Sequence, residues 1–530
     1  MNRVNSDVLN EIISYLKLSE IKKLGICSGY NYEICKKMVP YSYSQHGDSE
    51  YYVKMNNIKW MIDHCDGNRL NNAIDKHLDI YSIYFNVVYN QPIEALSNCT
   101  NLQRIAFGNG FNQPIEALSN CTNLQQITFA VFSEFNQPIE AIANCTNLRK
   151  ITFGRLFNQP VKVLANCTNL QQITFWSGFN QPIDALSNCS NLQQITFGQN
   201  FNQSIEALTN CTNLQQVTFG WRFNGPIEAL ANCTNLRQIT FGEEFNKPIK
   251  ALANCAQLKH IVFGRIFDQP IEALSNCSNL QQINFGSNYN HPIEALANCT
   301  HLQQITFGKY FNQRIEALTN CINLQQTTFY WNSEFNQSIE ALAKCTNLQQ
   351  IIFGWDFNQP IKAITSCTNL QQIIFGQRFN QPIEILANCT NLRQITFGKS
   401  FNQPITALAN CTNLRQITFS ESFSHPIKAL ASGTNLQQIT FGKLFNQPIE
   451  ALANCTNLQQ ITFGDDFNQP VEALTNCTNL QQITFGYYFN QPIEAIANCT
   501  NLQQITFGRM FDQPVKALQI NLPNLEISKK

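Results

Sequence analysis

Charge is scarce in this chain: Asp, Glu, Lys and Arg make up 13% of 530 residues, 35 of each sign, and the formal net charge is zero. Nucleic-acid binding draws on clustered cations that neutralise phosphates, and the sequence contains no such cluster, so no nucleic acid is expected as a partner. No stretch approaches the ~20 apolar residues of a membrane-crossing helix, and the first thirty residues lack a basic start followed by an apolar run. The expected address is therefore cytoplasmic, with no membrane partner. The 21 cysteines include no Cys-x-x-Cys pair, and the seven histidines are scattered without a ligand spacing, which argues against zinc or redox sites. Nothing resembles a phosphate loop, a nucleophile elbow or a carboxylate pair. The chain is expected to be no enzyme, with no cofactor and no metal.

What the sequence has in abundance is repetition. A block reading Phe-Asn-Gln-Pro-Ile-Glu-Ala-Leu-Ala-Asn-Cys-Thr-Asn-Leu-Gln-Gln-Ile-Thr-Phe-Gly, with two variable residues, recurs from Tyr89 to Phe511 at a spacing of 22; two intervals, Phe111 to Phe135 and Phe311 to Phe335, are 24. A strict period in this range means a stacked solenoid, because no single unit can bury its apolar face alone.

Within a unit, Leu102-x-x-Ile105-x-Phe107 ends in alternation and is rich in β-formers, which predicts a short strand with Ile105 and Phe107 inward and Gln, Thr and Gly outward. Pro114 followed by Ile-Glu-Ala-Leu predicts a helical turn or two, stopped by Asn-Cys-Thr-Asn. Two Phe columns with Leu and Ile columns should form one core, each buried Phe contributing about 1.5–3 kcal/mol. The cysteine repeated at Cys99, Cys121, Cys145 and onward should form a ladder of small, reduced, buried thiols. The same residues create Asn-Cys-Thr glycosylation acceptors such as Asn98 to Thr100; a glycan in most turns would obstruct stacking, which again favours the cytoplasm, where the motif is inert.

Leu-x-x-Ile-x-Phe resembles the leucine-rich repeat, and the Phe-Asn-Gln-Pro-Ile core is similar to the FNIP repeat, a leucine-rich-repeat relative of amoebal and giant-virus proteins. The resemblance covers about four-fifths of the chain. It implies an α/β fold: a leucine-rich-repeat-like solenoid of about 21 rungs with a parallel β-sheet on one face. If the chain is viral, the address becomes the host cytoplasm. Asn112, Asn136 and Asn158 follow the Phe, and are expected to satisfy turn backbone between rungs as a displaced asparagine ladder. Ile80-x-x-Ile83-x-Phe85 reads as a divergent first rung, and Leu522-x-x-Leu525-x-Ile527 as a divergent last one.

Three domains are expected: residues 1–40 a helical module, 41–79 a linking or capping segment, and 80–530 the solenoid. In the first, Val8, Leu9, Ile12, Ile13 and Leu16 recur at helical spacing, followed by Ile21 and Leu24. Asp7-Val8-Leu9-x-Glu11-Ile12-Ile13-Ser14-Tyr15-Leu16 resembles the F-box, the small α-helical module that docks on the Skp1-type adaptor of a cullin ubiquitin ligase. The usual Leu-Pro start is Val4-Asn5 here, and the late Val and Trp are Cys27 and Asn31. An F-box before a repeat array implies a substrate-recognition subunit of a cullin-type (SCF) ligase, with those seven apolar residues binding the adaptor. The alternative is a non-enzymatic interaction scaffold with residues 1–40 as a solenoid cap.

Variation concentrates in the pair of residues between Gly and the next Phe: Trp221-Arg222, Lys309-Tyr310, Trp355-Asp356, Tyr487-Tyr488. Trp176, Trp221, Trp331 and Trp355 fall in this loop, and Trp331 lies in one of the two longer units. Exposed Trp, Tyr and Arg are common interface anchors. An unknown protein target is expected to bind Trp176, Trp221, Arg222, Trp331, Trp355, Tyr487 and Tyr488.

Overall fold

The structure is a computed structural model that describes residues 41–43, 59–66, 70 and 79–530. The adaptor-binding residues expected at Val8, Leu9, Ile12, Ile13, Leu16, Ile21 and Leu24 lie outside the described residues. The chain divides into two compact units, one up to Lys247 and one from Pro248. Both are stacks of rungs built on parallel strands.

In the first unit, β1 (Tyr41–Tyr43), β2 (Lys59–Cys65) and β3 (Asp79–Phe85) pair in parallel, and β3 passes the register to β4 (Arg104–Phe107), with Ile83 beside Ile105. One three- or four-residue strand per rung follows, to β10 (Gln238–Thr240). Ile80 to Phe85 is thus a first rung of the expected phase, but the 41–79 segment contributes two further parallel strands ahead of it. In the second unit the strands run from β11 (His260–Val262) to β23 (Glu526–Lys529), each in register with its successor.

Each rung folds as its apolar spacing dictates. Ile127 and Phe129 are buried on a strand whose Gln126 and Thr128 stand half-exposed on the outer face. The helical part is a five-residue 3-10 helix, Glu116–Asn120, beginning two residues after Pro114. The intervening Ile115 is buried and non-helical, and its carbonyl accepts from the Leu118 N–H at 2.9 Å, closing a turn tighter than an α-helix allows. The final rung keeps the 22-residue spacing, which places it two residues out of step with the Leu522-x-x-Leu525-x-Ile527 pattern expected for it. Its helix, Lys516–Asn521, is α, and Ile527 pairs with Ile505 and Lys529 with Phe507. Ile527 therefore occupies the Ile column rather than the Phe column, and Lys529 closes the aromatic column with its aliphatic stem while its Nζ donates to the Phe511 carbonyl at 2.7 Å.

The core is a double file of aromatic rings. Within a rung the two rings stack almost flat, as for Phe175 and Phe179 at 3.8 Å, and successive rungs continue the stack at 5–6 Å, as for Phe157 and Phe179 at 6.1 Å. Leu, Ile and Cys columns fill the rest, all buried. The described cysteines are free thiols; Cys145 Sγ donates to the Cys121 carbonyl at 3.6 Å, and Cys233 to Cys211 likewise.

Three asparagine ladders tie rung to rung. The expected one is present: Asn112 Oδ1 accepts from the Asn136 N–H at 2.9 Å, and Asn136 Oδ1 from Asn158 at 2.9 Å. Two more use the Asn-Cys-Thr-Asn stop, where Asn120 Nδ2 donates to the Ser97 carbonyl at 3.2 Å and Asn123 Nδ2 to the Thr100 carbonyl at 3.0 Å. The first of these is the glycosylation-type asparagine, whose amide nitrogen is thus already engaged. Scattered histidines also fill ladder positions: His291 and His425 replace the Gln after Asn and reach the carbonyls of Asp268 and Asn402.

Candidate protein-recognition edge

The turn between strand and 3-10 helix is usually glycine at its first residue, with Trp176 and Ser420 the exceptions among the 22-residue rungs from Gly108 to Gly508, and varies widely at the next two. In most rungs that first residue is glycine because the preceding rung is too close: a Cβ on Gly220 would lie 1.8 Å from the Gly198 carbonyl oxygen. The following pair projects outward, and its backbone is held by another ladder, as where Arg222 N–H donates to Gln199 O at 3.0 Å and Tyr310 N–H to Ser287 O at 2.9 Å. The edge therefore presents variable side chains on a fixed backbone, the arrangement that spares a binding surface much of its ordering cost.

The two 24-residue units widen this edge. Both end in Ser-Glu before the Phe, and Ser133 and Ser333 are fully buried. Each hydroxyl accepts from the N–H two residues on, at Phe135 (3.2 Å) and Phe335 (3.3 Å), pinning the base of the bulge. The bulge carries Val131 and Phe132 in the first unit, and Tyr330 and Trp331 in the second, all exposed.

In the second unit the bulge builds an aromatic ridge. Trp331, 63% exposed, lies 6.4 Å from Tyr330 and 6.3 Å from Trp355 on the next rung, with rings inclined at 46° and 53°. On the preceding rung Tyr310 is exposed, with Lys309 Nζ 4.5 Å from its ring centroid and 3.1 Å from its hydroxyl. On the far side Asp356 pairs with Arg378 at 3.1 Å. A large apolar patch rimmed by charged groups is the usual composition of a recognition surface.

The structure thus brings Trp331 and Trp355 together and joins Tyr330 to them, with Tyr310 exposed on the preceding rung. Tyr487 and Tyr488 contact each other at 4.8 Å but stand several rungs further along. In the first unit Trp176 and Trp221 are exposed two rungs apart, and Arg222 beside Trp221 is exposed. Val87, Val88, Val131, Phe132 and Leu156 add exposed apolar surface to that unit's edge. Among the described residues no group of His, Cys, Asp and Glu is arranged to hold a metal ion, and no helix is long and apolar enough to cross a membrane.

Comparison with known proteins agrees with this geometry. CroV588, described as a circular leucine-rich-repeat protein, is 27% identical over 84% of this chain and 69% of its own, with a TM-score of 0.59. The Toll–Spatzle complex of Drosophila matches at 12% identity over 93% of this chain and 68% of that one (TM-score 0.58), and a leucine-rich-repeat protein of Leptospira interrogans at 11% over 83% and 98% (TM-score 0.52). At those identities the last two show shared fold alone. No curated protein matches the chain. The family model for the BspA type leucine rich repeat region matches in overlapping segments from residues 79–182 through to 428–513, rather than one for the FNIP repeat or the F-box. The chain belongs to the BspA-type leucine-rich-repeat family.

Proposed function

We propose that this leucine-rich-repeat protein is a non-enzymatic recognition scaffold that captures a protein target along its loop edge, and that it does so as the substrate-recognition subunit of a cullin-type ubiquitin ligase. The observation that carries the first part is the ridge of Tyr310, Tyr330, Trp331 and Trp355: large rings left in water, on a backbone that hydrogen-bonded ladders hold in place. Leaving such rings solvated forgoes burial worth about 1.5–3 kcal/mol each, and nothing in the repeat requires aromatic residues there. The ligase role rests on the resemblance of residues 1–40 to the F-box and, with it, of the repeats to FNIP repeats. The adaptor would be held by Val8, Leu9, Ile12, Ile13, Leu16, Ile21 and Leu24. A cytoplasmic address follows from the same reading.

The test is co-purification of the full chain with a Skp1-type adaptor and a cullin. Ile12→Asp combined with Leu16→Asp places unpaired charge in the apolar stripe, and should abolish the adaptor contact while the solenoid melts as before. If wild type binds no adaptor, or the double variant binds as well as wild type, the ligase reading fails. A plain interaction scaffold, with residues 1–40 as its cap, then takes its place.

A further inference from the structure

Net neutrality conceals a separation of charge across the rungs. Three columns face outward from the sheet: the two residues after Leu, and the residue between Ile and Phe. From Gln103 to Thr506 these columns are Gln and Thr with few exceptions, and every fully charged exception is a cation: Arg104, Arg149, Lys150, Arg237, Lys259, Arg393 and Arg415. No Asp or Glu occupies them. The first residue of each rung's helix shows the opposite bias, with Glu or Asp in fourteen rungs and Lys in five (162, 250, 362, 428 and 516), so the segregation is by face.

Stability gives no reason for these cations. Arg393 and Arg415 stand on adjacent rungs, joined by the Arg415 N–H donating to the Arg393 carbonyl at 2.8 Å, and both side chains are exposed. Like charges on neighbouring strands repel, and neither forms a salt bridge among the described residues. Gln371 and Gln437, on the rungs either side, show that the repeat has a neutral residue for this position. In the first unit Arg149, exposed, and Lys150, half-exposed, are consecutive residues of one rung and bring two cations together in the same way.

We propose that the outer sheet face is a second docking surface, distinct from the loop edge, and that each unit seats an extended acidic segment of a protein there on its own, the second on Arg393 and Arg415 and the first on Arg149 and Lys150. The surrounding Gln amides and Thr hydroxyls supply donors and acceptors for the segment's backbone. The Gln side chains are themselves linked along the stack, Gln372 Nε2 donating to Gln394 Oε1 at 2.7 Å and Gln482 Nε2 to Gln504 Oε1 at 2.9 Å, which limits the ordering that binding must impose. A nucleic acid is disfavoured on two counts. From β4 onward these columns hold no Phe, Tyr or Trp on which a base would stack, and the cations stand singly or in twos separated by neutral rungs instead of tracking a phosphate backbone.

The experiment uses the full chain and a short fluorescein-labelled peptide of alternating Glu and Ser, followed by fluorescence anisotropy at low salt. A Gln-Ser peptide and a thymidine oligonucleotide of equal charge serve as comparisons. The Glu-Ser peptide should bind with an affinity that falls steeply with salt, and R393Q/R415Q combined with R149Q/K150Q should weaken it by about tenfold or more, as expected for loss of complementary charge. Because both pairs install the repeat's own residue, melting should be unchanged. Equal binding of the Gln-Ser peptide, or undiminished binding by the fourfold variant, overturns the proposal. Tighter binding of the oligonucleotide, lost in the same variant, overturns it in favour of nucleic acid.

Discussion

Alkaline pH should dismantle this protein abruptly, because its cysteine column stores protons that the unfolded chain would release. Sixteen thiols between Cys121 and Cys499 are pushed up from 9.0 to about 11 or about 12, first of all by burial and in several cases also by a neighbouring thiol in the column. A raised thiol pKa means that the folded state keeps the neutral form. Its contribution is whole below pH 9 and is lost as pH climbs through 11 to 12. Each thiol loses about 1.4 kcal/mol per pH unit in that window, so the column as a whole loses up to about 20 kcal/mol per unit. Even a quarter of that is comparable with the ~5–15 kcal/mol net stability of a typical domain. Circular-dichroism melts from pH 8 upward, read beside thiolate ultraviolet absorbance, test this. The melting temperature should be level to pH 9 and then collapse within about a unit, with thiolate appearing together with loss of structure. Thiolate at pH 10 in a fully folded chain whose Cys27 and Cys35 are replaced by Ser would refute the reasoning, as would a smooth decline beginning at neutral pH.

Two positions in the turns give sharper tests of packing. Gly433 stands where other rungs place cysteine, with φ −81° and ψ 50° against −86° and 59° at Cys411; its backbone already suits a side chain, so Gly433→Ala should stabilise by about 0.4–1 kcal/mol through the unfolded state, seen as a raised melting temperature. Gly220→Ala should do the reverse, by about 3 kcal/mol or more, since its Cβ would fall 1.8 Å from the Gly198 carbonyl oxygen and backbone must shift to admit it; a melt within a degree of wild type would show that the rungs can slide apart there.

Most of the architecture was legible because every rung repeats the same contacts, so the period itself encodes register. Ile105 beside Ile127 and Phe107 beside Phe129 follow directly from a 22-residue spacing. Legibility failed where the period does. β2 pairs with β3 through two irregularities in register, at Trp60/Met61 and Ile62/Cys65, so residues 59–65 carry no periodic signal and read as a linker. The last rung was misaligned although its period holds: Leu522 and Leu525 imitate the Leu-x-x-Ile spacing two residues early, whereas Ile527 and Lys529 stand 22 residues after Ile505 and Phe507. The aromatic ridge was half-visible: Trp331 and Trp355 stood out by rarity, whereas Tyr330 acquired meaning only through adjacency. The basic sheet face was overlooked for a related reason. Near-constant Gln and Thr columns look uniform along the chain, and the sign bias emerges only when the sparse exceptions are gathered on one surface.

The claim that matters most is that the loop edge, and not the repeated core beneath it, selects the protein target. Its most direct measurement compares the proteins captured from cytosol by the wild-type chain, by W331A/W355A and by W221A/R222A, quantified by mass spectrometry beside thermal melts of each. The account predicts that W331A/W355A loses the principal partner by at least about tenfold, as removal of interface anchors does, while its stability stays within about 0.5 kcal/mol of wild type. An early melt would place these tryptophans in the core, and undiminished capture by both stable variants would contradict recognition at the loop edge.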